Sequence, residues 1–427
     1  MNIAESSRLS DESKSQPAKA PRIVIIGAGP IGLEAALYAK TLGHDVTVFD
    51  KGSVAANIQS WGHIRLFSPW KYNRSSLGVK RLREEGLGNT DLPDETCPTG
   101  EELVDNYLAP LASLPELSDL VREHHEVLAC GRAHFLKKDM GQGINRAQDP
   151  FQLLIREKDS QERIETADIV IDATGVYGEH NYLGAGGIPA PGETSVTDEV
   201  EFNPPDVLGS ARDKYAGKHT VVLGAGYSGA TTVVALGELM KSAPGTQITW
   251  VCRTDSDQPM KAIPDDPLPE RRTLTEIGNK LARHSVEGFH YLGGHSVAAI
   301  ERKGDGLLLN VRNSGDETVA IECDRLVANV GYHPNEKIYR QLQVHECYAT
   351  LGPIDLAASL MGQDLVDCLA VQAGVADLLR TPEPNFYILG AKSFGMNPNF
   401  LIYLGHEHIA QLFSMISGDE TLNLYLT

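Results

Sequence analysis

The sequence predicts an α/β protein of two three-layer domains with parallel sheets, the second domain inserted into the first. Three observations predict it. A strand, a glycine-rich turn, a helix and a second strand follow one another over residues 22–50. The same grammar recurs over residues 219–253. Short apolar runs of strand length lie between and after the two copies and return the chain to a parallel sheet.

The elements follow in order. Arg22–Ile26 (RIVII) is an apolar run of strand length, followed by the turn Gly27-Ala28-Gly29-Pro30-Ile31-Gly32. Leu33, Ala36 and Leu37 then recur at helical spacing as far as Gly43, a suitable helix stop. Asp45–Phe49 (DVTVF) is the second strand and ends at Asp50. Glu126–Cys130 and Phe151–Arg156 are meander strands, and Ala167–Ala173 rejoins the parallel sheet. In the second copy, His219–Leu223 leads into Gly224-Ala225-Gly226-Tyr227-Ser228-Gly229. Ala230, Val233, Val234 and Gly237 then keep helical spacing, and Gln247–Cys252 ends at Arg253. Asp324–Val330 leads into Gly331, and Asn385–Leu389 ends at Gly390. A helix of about sixteen residues is expected to start near Pro398.

The Pro/Gly-rich stretch at 184–192 and the pair Pro204-Pro205 read as linker. The expected division is therefore a first domain of residues 21–203 and 324–427, interrupted by a second at 204–323. Residues 1–20 are polar and lack the apolar core of a secretory signal, so a disordered tail is expected there.

Charge excludes several function classes. Lys and Arg number 38 against 57 Asp and Glu, a formal net charge of −19. Phosphate backbones and anionic membrane surfaces are bound mainly through basic residues, so neither is an expected partner. No run of about 18 apolar residues offers a membrane span. The six cysteines, Cys97, Cys130, Cys252, Cys323, Cys347 and Cys368, include no C-x-x-C pair. Neither a zinc ribbon nor a redox dithiol is written here, and buried thiols in a reducing, cytoplasmic setting are expected. No metal is expected either. His406 and His408 stand two apart on a helix and do not share a face.

The glycine motifs carry the chemistry. A dinucleotide pyrophosphate needs close backbone approach and free N–H donors. Gly27 makes the tight turn, Gly29 leaves room for phosphate, and Gly32 lets helix and strand pack. Pro30 and Ile31 open the helix, whose N-terminus offers unpaired N–H groups. Asp50, 18 residues beyond Gly32, can accept hydrogen bonds from ribose hydroxyls. In the second motif Gly224, Gly226, Tyr227, Ser228 and Gly229 repeat the pattern, but Arg253 stands at the strand end. A guanidinium there suits the 2′-phosphate of NADPH, which a carboxylate would repel. Two unlike nucleotide sites in one chain point to FAD in the first and NADPH in the second.

At this point the sequence resembles the two-dinucleotide-domain flavoproteins, the superfamily of thioredoxin reductases and flavin-containing monooxygenases. The resemblance spans most of residues 20–420. It rests on both glycine motifs, on Ala173-Thr174-Gly175, where such chains pass between domains, and on the hinge Gly331-Tyr332-His333-Pro334-Asn335. Four phrases resemble a narrower group of flavin-dependent monooxygenases, some encoded beside arsenic-resistance genes. They are the stretch from Trp61 to Trp70, NYLGAGGIPAPGE at 181–193, PDVLG at 205–209 and FYILGAKSFG at 386–395. The resemblance implies two Rossmann-like domains, FAD, NADPH, a small-molecule substrate with O2 as a candidate co-substrate, and a homodimer as a compatible assembly. Two departures matter. The redox cysteine pair of thioredoxin-type reductases is absent. The stretch at 205–217 also lacks the Phe and His of the F-x-G-x-x-x-H motif found in class B monooxygenases. Direct substrate reduction, NADPH oxidation and a non-catalytic redox sensor therefore stay open beside oxygenation.

The resemblance also implies site residues. The region after the first unit lines the flavin ring in this fold, which makes Trp61, His63, Arg65, Ser68, Trp70 and Tyr72 candidates. His63 could act as acid or base near neutral pH, and Arg65 could hold reduced flavin or pyrophosphate. Lys51 follows Asp50, and Val127 is expected to touch adenine. Gly390 and Ala391 would direct N–H groups at the flavin, where charge grows on reduction, with Lys392 adding a positive charge. Asn397 and Asn399 could touch substrate or cap the late helix.

Overall fold

The computed structural model describes residues 20–141, 143–284, 286–363 and 368–426. The expected tail, apart from Ala20, lies outside the described residues.

The first sheet opens with β1 (Arg22–Ile26), β2 (Asp45–Phe49) and β3 (Val121–Arg122). An antiparallel sheet follows, made of β4 (Glu126–Arg132), β5 (Phe151–Arg156) and β6 (Glu162–Ala167). The chain then returns to the first sheet as β7 (Ile169–Asp172). β8 (Val200–Glu201), β9 (His219–Leu223), β10 (Gln247–Val251) and β11 (Phe289–Leu292) begin a second parallel sheet. β12 (His295–Lys303), β13 (Gly306–Asn313) and β14 (Thr318–Cys323) form a second antiparallel meander. β15 (Arg325–Ala328) completes the second parallel sheet, and β16 (Phe386–Ile388) completes the first.

The parallel sheets run β16-β7-β1-β2-β3 and β11-β10-β9-β15-β8. Their central registers correspond. Ile26 pairs Phe49 on one side and Asp172 on the other, and Leu223 pairs Val251 and Ala328. Each glycine turn therefore begins where three strand ends lie side by side, the place where open α/β sheets bind ligands.

Four longer helices cover the sheets: α1 (Pro30–Thr41), α2 (Tyr227–Ser242), α3 (Pro269–Arg283) and α4 (Ile402–Ser417). α1 is buried from Ile31 to Ala39 because it is packed between its sheet and α4. Leu33 and Leu37 share one core with Leu412 and Phe413. That accounts for a sequence pattern with few polar breaks. α4 has the expected sixteen residues, but its N-cap is Leu401, so neither Asn397 nor Asn399 caps it.

The domain division differs from the expected one at two strands. β8 and β15 precede 203 and follow 324, yet both pair in the second sheet. β15 is anchored there by its ladder to β9 and by Asp324, whose Oδ2 accepts the His219 N–H at 2.8 Å. An apolar run of strand length does not say which sheet it joins. The two segments that connect the sheets lie side by side. The Asn181 N–H donates to the Gly331 carbonyl at 3.0 Å, and Asn181 Nδ2 donates to the Val330 carbonyl at 3.2 Å. Among the described residues no helix is long and apolar enough to cross a membrane.

Candidate active site

One continuous cleft of ≈ 1190 Å³ runs along the carboxyl ends of both parallel sheets. Apart from Arg65, every residue expected to hold a cofactor lines it except Gly32 and Gly229. Those two do a different job. A Cβ on Gly32 would overlap the Gly27 carbonyl oxygen, and a Cβ on Gly229 would overlap that of Gly224. The first glycine of each motif turns with φ of +105° (Gly27) or +113° (Gly224), a region L side chains rarely adopt. Gly27 also lies so close to the neighbouring strand end that a Cβ would sit 2.7 Å from the Ala173 carbonyl oxygen. By contrast, Cβ atoms on Gly29 and Gly226 would meet nothing within 4 Å. The two motifs thus share one construction: a strained turn, a packed third glycine and an open middle glycine.

The helix ends fit the groups implied. α1 and α2 have Gly29 and Gly226 as N-caps, with no side-chain cap and no acidic residue in the first turn. The positive end of each helix dipole is therefore presented to a diphosphate with no acidic side chain in its way. Asp50 accepts the Ala28 N–H at 2.7 Å and the Gly52 N–H at 2.8 Å. A carboxylate has about four acceptor sites, so it can also take ribose hydroxyls. Arg253 is exposed on the cleft wall and makes no ion pair among the described residues.

Around the turn from β7, Thr174 is held by Asp172. Its Oγ1 donates to Asp172 Oδ1 at 2.7 Å, and its N–H donates to the same oxygen at 3.1 Å. Ser68 is buried, lines the cleft and donates to Asn73 Oδ1 at 3.0 Å. Trp61 lines the cleft with its ring packed on Gly100, and its buried Nε1 has no hydrogen-bond partner among the described residues. Trp70 is core, as its 3% exposure shows.

Three candidate catalytic residues are corrected. Lys392 does not reach the cleft. Its side chain is 0% exposed and donates to Asp172 Oδ2 at 2.7 Å, Thr174 Oγ1 at 3.0 Å and the Asn335 carbonyl at 2.8 Å. All three ammonium protons are thus spent on tying β7 and the hinge to the segment after β16. His63 is exposed and outside the cleft. Arg65 is exposed as well; its guanidinium donates to the Cys97 carbonyl and lies 3.7 Å from Glu102. Local sequence could not show that this turn directs Trp61 inward and its neighbours outward.

Sequence reading missed other lining residues: Tyr177, Asn181, His295, Ser296 and Phe400. Tyr177 had a signal, standing two residues after Gly175 where the chain passes between the sheets. His295 and Ser296 open β12 and had none. The two late histidines part company: His408 Nε2 meets the Ala373 carbonyl at 2.9 Å, and His406 faces buried Glu34 at 3.7 Å. No cysteine lines the cleft among the described residues, and five of the six are buried.

Replacing Lys392 by Met leaves the Asp172 carboxylate buried and unpaired. It should lower the unfolding free energy by ~3–5 kcal/mol, measured by urea denaturation. Adding Asp172→Asn to the same protein should restore part of that loss.

The comparisons agree with this geometry. The model of the family described as FAD dependent oxidoreductase matches residues 22–126. That of the pyridine nucleotide-disulphide oxidoreductases matches residues 80–348, more than half of the chain. A curated relative, the multifunctional alkene reductase/demethylase OYE of Caballeronia cordobensis, is 39% identical over 70 residues. That match covers 16% of this chain and only 10% of the relative. Among solved structures, a bacillithiol disulfide reductase from Bacillus cereus superposes with a TM-score of 0.62 at 21% identity, over 93% of this chain and 99% of that one. An ornithine N-hydroxylase from Kutzneria sp. 744 gives 0.61 at 14%, over 94% and 100%. These likenesses carry the fold. With two glycine turns of one construction opening on a shared cleft and two family models that together span β1 to β15, the chain belongs to the pyridine nucleotide-disulphide oxidoreductase family, an FAD-dependent oxidoreductase with FAD and NADPH as cofactors.

Proposed function

We propose that this protein is an NADPH-consuming flavin monooxygenase acting on a small organic or organometalloid substrate. The observation that carries the reading is the single cleft onto which both glycine turns open, with no thiol in its lining among the described residues. In this reading β1–β7 with β16 form the FAD-binding domain and β8–β15 the NADPH-binding domain. Bound FAD supplies hydride acceptance and onward electron transfer. The chain's own part is positioning. The α1 N-terminus and Asp50 hold the flavin nucleotide, with Val127 beside its adenine. The α2 N-terminus and Arg253 hold NADPH. Ala173-Thr174-Gly175 and Gly390-Ala391 close the wall between them, and the N–H groups of Gly390 and Ala391 meet developing negative charge. Overall, NADPH, H⁺ and O2 convert a substrate S to SO, with NADP⁺ and water as the other products.

A second reading, NADPH-dependent reduction or oxidation without oxygenation, is favoured by one observation. His63 is exposed away from the cleft, so the segment after the first glycine unit supplies no acid or base to the wall. The stretch at 205–217 also lacks the Phe and His of class B monooxygenases. The two readings separate under ¹⁸O2. Oxygenation puts one labelled atom into the product, whereas an unlabelled product with NADPH still consumed favours reduction or oxidation.

Two sets of variants test the cofactor assignment. Gly226→Ala fits sterically but fills phosphate space, so it should fold, keep its FAD and raise the KM for NADPH at least about tenfold. Gly229→Ala collides with the Gly224 carbonyl and should instead lose folded protein, read by circular dichroism. Arg253→Ala removes charge-assisted hydrogen bonds of ~1.5–3 kcal/mol. It should cut kcat/KM for NADPH about 10- to 100-fold and leave NADH nearly unaffected, measured by steady-state absorbance.

A further inference from the structure

The two glycine units correspond residue for residue at the outer ends of their nucleotide sites. The Gly27 N–H donates to the Phe49 carbonyl at 2.7 Å, and the Gly224 N–H donates to that of Val251 at 3.1 Å. One residue further on, the His125 N–H donates to the Asp50 carbonyl at 2.7 Å, and the His295 N–H to the Cys252 carbonyl at 3.0 Å. The His124 N–H then donates to the Gly52 carbonyl and the Gly294 N–H to the Thr254 carbonyl, both at 3.0 Å. Asp50 therefore corresponds to Cys252, Lys51 to Arg253, His125 to His295 and Glu126 to Ser296.

That correspondence inverts the charge. The first unit lines its part of the cleft with two carboxylates, Asp50 and Glu126, and one ammonium, Lys51. The second has the uncharged Cys252 and Ser296 in place of both carboxylates and keeps a cation as Arg253. Cys252 is buried, whereas Arg253 and Ser296 line the cleft. One carboxylate, Asp255, packs against Gly294, but it does not line the cleft.

The two histidines are built alike and turned to different uses. Each ring is held by a carbonyl two residues back: His125 Nδ1 lies 2.7 Å from the Glu123 oxygen, and His295 Nδ1 lies 2.6 Å from that of Gly293. A carbonyl only accepts, so Nδ1 carries the proton in each ring and Nε2 is the open position. His125 does not line the cleft, and its Nε2 lies 4.0 Å from Glu157 Oε1. His295 does line it, and its Nε2 has no partner among the described residues. The hydrogen bonds to Cys252 and Thr254 clip the His295 segment to the two residues that flank Arg253, so imidazole and guanidinium are placed at the same strand end.

We infer that His295 is a second specificity-determining residue for NADPH, its Nε2 donating, as the imidazolium, to the 2′-phosphate that Arg253 holds. Two cationic donors with no carboxylate in the lining beside them suit a phosphate dianion through charge-assisted hydrogen bonds, and NADH lacks the group they address. The inference rests on the assignment of Arg253 to that phosphate.

The test uses the FAD-loaded protein with 2′,5′-ADP and 5′-AMP as probes, which differ only in the 2′-phosphate, and reads their dissociation constants by calorimetry. His295→Asn keeps a donor for the Gly293 carbonyl and removes Nε2. It should weaken 2′,5′-ADP at least about tenfold and leave 5′-AMP within about twofold of wild type. His295→Arg, which restores a cationic donor, should hold 2′,5′-ADP within about threefold of wild type. Equal weakening of both probes in His295→Asn would assign the ring a purely structural part and overturn the inference. So would His295→Arg binding 2′,5′-ADP no better than His295→Asn. Arg253→Ala separates the two levels. A loss of 2′,5′-ADP affinity in Arg253→Ala but not in His295→Asn sinks the inference alone. Wild-type protein that binds the two probes equally, or binds neither, sinks the assignment of this strand end to the 2′-phosphate as well.

Discussion

The structure depends on one steric constraint, the contact between the third glycine of each motif and the carbonyl of the first. A helix can start immediately after a parallel strand only if its first turn drops onto the strand end. Any Cβ at Gly32 or Gly229 would occupy the place of the Gly27 or Gly224 carbonyl oxygen. With that contact made, the middle glycine faces open space and neither α1 nor α2 has a side-chain cap at its N-terminus. The same packing that makes the fold compact therefore leaves a localised positive potential at each helix start. Binding of diphosphate follows from how the chain closes its turn, with no dedicated side chain required.

The second consequence is alignment. Because β7 and β2 both pair with β1, and β10 and β15 both pair with β9, each turn is flanked by two further strand ends. The acidic Asp50 and the basic Arg253 stand just beyond the corresponding strands β2 and β10 of the two units, and in the function proposed above their opposite charges distinguish the nucleotides. The buried Lys392–Asp172 pair braces the same region from behind. It joins β7, Thr174, the hinge carbonyl of Asn335 and the segment after β16 into one polar knot. A lysine there contributes rigidity to the wall, because its charge is spent inside the protein.

Much of this was legible in the residues. The strand limits Arg22–Ile26, Asp45–Phe49 and His219–Leu223 follow from apolar runs closed by glycine or charged residues, and the structure has the same limits. Periodicity is a local property, so it survives without knowledge of the fold. The placement of β15 was not legible, because Leu326 and Val327 are equally suited to either sheet and only pairing with β9 chooses. The roles expected of His63 and Arg65 failed for a related reason. Two or four residues from Trp61, a side chain can point to the opposite side of a turn, and chemical type says nothing about direction.

By itself the sequence determined the two nucleotide-binding units, their order and the opposite charges at their strand ends. Backbone conformation, strand length and phosphate affinity are written in a few neighbouring residues. Only the tertiary structure decided which side chains share the cleft, that Lys392 is consumed by Asp172, and that Trp61, Tyr177 and Tyr332 meet in one row. Those residues are far apart along the chain. Their proximity exists only once the two connecting segments cross, and the crossing is set by sheet pairing rather than by any local pattern.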